Sequence, residues 1–178
     1  MTVFISGGAK CGKSAIAQEL AVKLAAGEKL FYVATMIPSG AEDEERIRLH
    51  LLDRAGMGFE TVECFQNITS ISDKDGTFLV DNITSLMQNS LFPPENGYQM
   101  VLSAARQCCE ELVSFAGSVR NAVFVSDHIY SDAEVYSDAT ESYRRCLADA
   151  DRTLAKLCDV VIEVTAGLPI VYKGELSL

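Results

Sequence analysis

Eight residues near the start of the chain carry its most specific chemistry: Gly7-Gly8-Ala9-Lys10-Cys11-Gly12-Lys13-Ser14. They match G-x-x-x-x-G-K-[ST] at every fixed position and follow the apolar stretch Val3-Phe4-Ile5, so the order is strand, glycine loop, helix. Glycines let several backbone N–H groups converge on one anion with no Cβ in the way. The helix that follows adds the positive end of its dipole. In such a loop Lys13 reaches the outer phosphates of a nucleoside triphosphate as a point charge, and Ser14 offers its hydroxyl to Mg²⁺. The alternative, a glycine-rich turn with no ligand, does not call for a strand before the loop and a helix after it.

A second stretch, Arg46-Ile47-Arg48-Leu49-His50-Leu51-Leu52-Asp53-Arg54, has helical spacing. Residues 46, 50 and 54 fall on one face, with Ile47 and Leu51 on the stripe beside it. Two guanidiniums flanking an imidazole disfavour its protonation, and a neutral imidazole is what a nucleophile at phosphorus must be. The arginines would also neutralise phosphate oxygens. By periodicity alone a solvated basic helix face is the commoner case. A third candidate is Asp81, an acid closing the apolar run Phe78-Leu79-Val80. It suits either the carboxylate that holds Mg²⁺ or its waters beside a phosphate loop, or a cap on the next helix.

These groups need a scaffold. Five apolar runs predict strands over Val3–Ser6, Leu30–Ala34, Thr77–Asp81, Ala122–Ser126 and Val160–Val164, four of them continuous rather than alternating. That pattern belongs to a parallel sheet buried on both faces. Helices are expected over Lys13–Ala26, Glu42–Arg54, about Tyr98–Phe115 and about Ala133–Leu157. The segment Ala166-Gly167-Leu168-Pro169 reads as a turn before an edge strand Ile170–Lys173, and Phe92–Gly97 as a loop. The β–α alternation predicts an α/β fold of the P-loop type: a doubly wound, mostly parallel sheet with a short C-terminal edge hairpin. A chain of 178 residues fits one nucleotide-binding domain spanning residues 1–178. In this architecture ligands gather at strand C-termini, which brings in Ala34-Thr35-Met36 as well as Asp81.

The net charge of −10 and pI of about 4.6 argue against a nucleic-acid surface. No apolar run is long enough to span a membrane. The chain begins at once with strand and loop, with no signal peptide, and its six cysteines form no C-x-x-C pair, so a cytoplasmic protein with reduced thiols is expected.

The chain resembles the bifunctional adenosylcobinamide kinase/adenosylcobinamide-phosphate guanylyltransferase family of cobalamin biosynthesis, nearly end to end. The family's strand-then-G-G-x-x-x-G-K-S opening is present as Gly7 to Ser14. Its Y-[IV]-A-T is matched by Tyr32-Val33-Ala34-Thr35, its R-I-x-x-H-x-x-x-R by Arg46, Ile47, His50 and Arg54, and its T-x-E by Thr61 and Glu63. An acid followed by x-[IV]-T and N-x-L-F corresponds to Asp81, Ile83-Thr84 and Asn89 to Phe92. The resemblance implies that His50 carries a covalent GMP. It gives the Glu63 and Asp81 positions to the bound guanosine nucleotide, whereas the generic phosphate-loop reading gives Asp81 to Mg²⁺. It also implies ATP and GTP as substrates, a corrinoid acceptor and a homotrimer. The implied nucleotide site comprises residues 7–14 with Ala34, Thr35, Met36, Arg46, Leu51, Arg54, Glu63 and Asp81. Lys13 and His50 are the expected catalytic residues, and Ser14 and Asp81 the expected metal ligands.

Departures lie in the second half. Where the family typically has [TS]-N-E-V-G-x-G-x-x-P, this chain has Ser126-Asp127-His128-Ile129-Tyr130-Ser131-Asp132. A family G-x-x-N-Q stretch is replaced by Ala148-Asp149-Ala150-Asp151-Arg152, while Tyr143-Arg144 and Asp159 are retained. Asp127 and His128 read equally as replacement polar groups or as loop residues. Two other functions stay open: a P-loop kinase of another small metabolite, and a nucleotide-binding scaffold without turnover.

Overall fold

The structure, a computed structural model, describes residues 1–175. Seven strands form one sheet: β1 (Thr2–Gly7), β2 (Leu30–Ala34), β3 (Glu60–Glu63), β4 (Thr77–Asp81), β5 (Asn121–Asp127), β6 (Val160–Thr165) and β7 (Leu168–Lys173). Their order across the sheet is β3-β2-β4-β5-β1-β6-β7. Every pairing is parallel except that of β6 with β7, the edge hairpin closed through Ala166 and Gly167. The fold is α/β, as the alternation of strand and helix patterns requires.

Residues alternate between the two faces of the sheet, and each face has its own core. Phe4, Phe78 and Phe124 join the apolar faces of α3 (Ile83–Leu91), α4 (Ser103–Ser118) and α5 (Asp138–Leu157) on one side. Val3, Ile5, Leu79, Val123 and Val125 meet α1 (Lys13–Ala25) on the other, through Ala17, Leu20 and Ala21. Phe78 stacks on Phe31 at 4.9 Å between centroids and meets Phe115 edge-on at 5.3 Å. Aromatic pairs in such arrangements add about 0.5–1.5 kcal/mol each beyond burial.

Some boundaries differ from the sequence expectation, for local reasons. The strand β3 was not anticipated, because Glu60-Thr61-Val62-Glu63 is a largely exposed edge strand with no apolar run. The nine-residue α3 was also missed. Its buried residues Ile83, Leu86, Met87 and Leu91 keep helical spacing, and Asn82 caps it by accepting from Ser85 N at 2.8 Å. Asn82 therefore does the capping that Asp81 was a candidate for. The helix α4 begins at Ser103 rather than near Tyr98, since Tyr98 N donates to Pro93 O and Val101 N to Leu91 O, closing a turn first. Likewise α5 begins at Asp138, where Ser137 accepts from Thr140 N.

The helix α2 (Ala41–Asp53) is of a different kind. It starts after Ser39, whose N–H and hydroxyl both donate to Asp43, and carries three acids in its first turn, which its dipole favours. None of its residues is buried, and Leu49, Leu51 and Leu52 are exposed.

Candidate active site

The phosphate loop joins β1 to α1 and is shaped by close packing. A Cβ on Gly7 would stand 2.7 Å from Val164 O and from Cys11 Sγ, so that position admits glycine alone without rearrangement. Gly12 takes φ 93° and lies against Gly167, whose N–H donates to Cys11 O at 2.8 Å. The edge hairpin thus props the loop from behind. No side chain caps the first turn of α1, which leaves the helix N–H groups directed at the loop. Lys13 is buried; its Nζ donates to Gly8 O at 3.0 Å and pairs with Asp127 Oδ1 at 2.5 Å. Ser14 follows it, half-buried.

Asp127 is the acid that the strand order brings to Lys13. It ends β5, in register with Gly7 of β1, because β5 lies between β1 and β4. Its Oδ2 accepts from Asn82 Nδ2 at 2.8 Å and its N–H donates to Thr84 Oγ1 at 2.9 Å. The sequence left Asp127 open; the apolar run Ala122–Ser126 closing on an acid was the same signal that picked out Asp81.

Asp81 lies one strand further out and faces elsewhere. Tyr32 OH donates to its Oδ2 at 3.2 Å. Burial raises its carboxyl above the ordinary carboxylate range, against the opposing pull of His50, the Tyr32 hydroxyl and Lys13. Burial, with Asp81 beside it, raises the Tyr32 phenol too. The two acids are linked through Asn82, whose backbone is clamped by Thr35: the Thr35 hydroxyl accepts from Asn82 N at 2.8 Å and donates to Asn82 O at 2.7 Å.

Beside Asp81 a cavity of about 210 Å³ opens between β2, β3, β4 and α2. Its lining contains nine of the predicted site residues together: Ala34, Thr35, Met36, Arg46, His50, Leu51, Arg54, Glu63 and Asp81. The residues of the phosphate loop do not line it, so the predicted site divides into a loop region and a cavity region. A second cavity of about 540 Å³ adjoins the first, sharing Met36, Pro38, Arg46, Asn82 and Ser85, and reaches Asp127.

Arg54 behaves differently from the helix-face expectation. The helix ends at Asp53, and Arg54 folds inward with its guanidinium 3.8 Å over the Tyr32 ring. It donates to His50 O at 3.0 Å and to Thr61 Oγ1 at 3.1 Å, which pins the end of α2 to β2 and β3. Its charge is thus spent partly on holding the helix, while Arg46 remains exposed at the mouth of both cavities.

The altered half also has a defined geometry. His128 N donates to Gly7 O at 3.2 Å, and its Nε2 stands 3.9 Å from where a Cβ on Gly8 would be. The retained Arg144 holds the replaced loop, donating to Ile129 O at 3.1 Å and Asp132 Oδ1 at 2.8 Å. Tyr143 OH donates to Thr84 O at 3.1 Å, and Asp159 Oδ2 accepts from Thr2 N at 2.7 Å. These retained residues hold neighbouring backbone by hydrogen bonds. Asp151 is buried, and burial pushes its carboxyl up to about 6, although Tyr130 OH donates to it at 2.8 Å. Among the described residues no helix is long and apolar enough to cross a membrane.

Solved structures share this fold at low identity. A Pyrococcus horikoshii OT3 protein, PH0250, aligns with TM-score 0.53 and 10% identity over 98% of this chain and 87% of its own. An ATPase from the type III secretion system of pathogenic bacteria aligns with TM-score 0.54 and 13% identity over 92% of this chain and 51% of its own. These likenesses show the α/β fold alone. No curated protein matches. The family model described as cobinamide kinase / cobinamide phosphate guanyltransferase matches residues 3–172, and with nearly the whole chain covered, this protein belongs to that family.

Proposed function

We propose that this protein phosphorylates cobinamide from a nucleoside triphosphate and then transfers GMP from GTP onto the new phosphate, through His50. The observation that carries this reading is the 210 Å³ cavity in which His50, Arg46, Arg54, Glu63 and Asp81 converge, linked to Lys13 through Asn82 and Asp127. In the guanylyl step an imidazole nitrogen of His50 attacks the α-phosphorus of GTP. A P–N bond forms, the bond to the bridging oxygen breaks and pyrophosphate leaves. An oxygen of the cobinamide phosphate then attacks the same phosphorus, and His50 is released. Asp81 and Glu63 hold the guanosine end of the nucleotide, and Arg46 meets the phosphates.

In the kinase step the phosphate loop and Lys13 stabilise charge developing on phosphoryl oxygens, which is most of what such a transfer asks of a protein. The oxygen donors here suit Mg²⁺, a hard cation that keeps several waters. The Ser14 hydroxyl would hold it; Asp81, expected as the second ligand, instead faces Tyr32 and the smaller cavity. Mg²⁺ would supply shielding of the phosphate charges.

The test is incubation with α-labelled GTP and Mg²⁺, followed by a denaturing gel. Acid-labile label on wild-type protein, mapped between Arg46 and Arg54 and lost in His50→Ala while nucleotide binding persists, is the expected result. Turnover without protein-bound label would point instead to a kinase of another acceptor, and binding without either to a scaffold.

A further inference from the structure

We propose that Asp127 is the group that accepts the acceptor's hydroxyl proton during phosphoryl transfer, and that the 540 Å³ cavity it lines is where that acceptor sits. The inference rests on the kinase half of the function proposed above.

Position comes first. Asp127 ends β5 in register with Gly7, so its carboxylate stands at the mouth of the phosphate loop. It is held from several sides: Lys13 Nζ at 2.5 Å on one oxygen, Asn82 Nδ2 at 2.8 Å on the other, and Thr84 Oγ1 on its backbone N–H. Its side chain keeps 17% exposure, and it lines the larger cavity. That cavity presents hydrogen-bonding groups from Ser85, Gln88 and Asn89 beside the rings of Phe92 and Tyr98. Such a mixture fits a large acceptor that carries amides on an apolar framework. The other acid cannot serve the same hydroxyl, because Asp81 is bonded to Tyr32 and lines the smaller cavity.

The Lys13 ammonium is paired with Asp127. A triphosphate in the loop competes for that ammonium. As Lys13 turns to the phosphate, Asp127 Oδ1 is released toward the larger cavity while Asn82 keeps hold of Oδ2. The acceptor oxygen then forms a P–O bond to the γ-phosphorus, and the bond from that phosphorus to the nucleoside diphosphate oxygen breaks. The diphosphate leaves, and the hydroxyl proton passes to Asp127. This chain has Asp127-His128 where the family pattern has Asn-Glu, so its acid is moved one residue toward the strand end and onto Lys13.

The experiment compares wild type with Asp127→Asn in three readouts: phosphoryl transfer from ATP to cobinamide, ATP affinity, and labelling by GTP. The variant is expected to lose about 10²–10⁴-fold in transfer rate, as for removal of a positioned base. ATP affinity should hold or tighten, since Lys13 loses its competitor, and labelling should persist because it needs no acceptor hydroxyl. A transfer rate within about tenfold of wild type would overturn the proposal, because a general base is worth more than that. So would a parallel fall of all three readouts in a folded variant, which marks a merely structural role. Should Asp127→Asn not fold, Asp127→Ser also removes the carboxylate and is read in the same way. Wild-type protein that does not phosphorylate cobinamide would withdraw the kinase reading itself, a result distinct from failure of the Asp127 assignment.

Discussion

The helices α1 and α2 both follow a parallel strand, and each carries a residue to which the proposed function gives a phosphate role, yet they are held in opposite ways. The first buries Ala17, Leu20, Ala21 and Ala25 against the sheet and presents a buried Lys13 from its first turn. The second buries nothing, and its C-terminal end is tied down by Arg54 on Tyr32, His50 O and Thr61. Lys13 therefore takes its place from the core, whereas His50 takes its place from one guanidinium. Charge stabilisation at a loop that must bind every nucleotide needs a rigid cradle. Under the proposed function, a nucleophile that receives GMP and then hands it on gains from an element that packs less tightly.

The largest expected effect is at Lys13. Lys13→Ala should slow phosphoryl transfer by about 10²–10³-fold, the scale for removing one preorganised charge-stabilising group, and should weaken triphosphate binding as well. Steady-state rates with equilibrium binding check it; parent-like behaviour would show that the core-held lysine is idle. Next come two leucines that weigh the helices directly. Leu20, 2% exposed in α1, should cost about 2–5 kcal/mol when cut to Ala. Leu52, 58% exposed in α2, should stay within about 0.5 kcal/mol on the same change. Urea unfolding midpoints decide this, and equal losses would erase the contrast. The smallest effect is at Arg54. Removing one cation–π contact and two hydrogen bonds in Arg54→Ala should slow His50 labelling about tenfold, with phosphoryl transfer spared. Single-turnover labelling against the kinase rate separates the two. A matched loss in both would mean that Arg54 holds the whole sheet edge rather than α2.

Much of this was legible from the chain alone. The phosphate loop shows because its glycines and its strand–helix context are local, and the parallel sheet shows because strands buried on both faces become continuous apolar runs. The spacing of Arg46, His50 and Arg54 marked the helix that carries the imidazole, and all three line one cavity. What the chain alone left undecided was which ends meet. The strand β5 inserts between β4 and β1, so the acid delivered to Lys13 is Asp127, and Asp81 is displaced toward Tyr32 and His50. Helical spacing put Arg54 on an open face, but the helix stops one residue short and Tyr32, on the strand β2 that precedes the helix, takes the guanidinium. The polar β3 carried no apolar run to mark it, whereas the nine-residue α3 did carry helical spacing and a cap. Periodicity reports which face of an element is apolar; strand order and the termination of helices depend on long-range packing, and those decide which polar groups become neighbours.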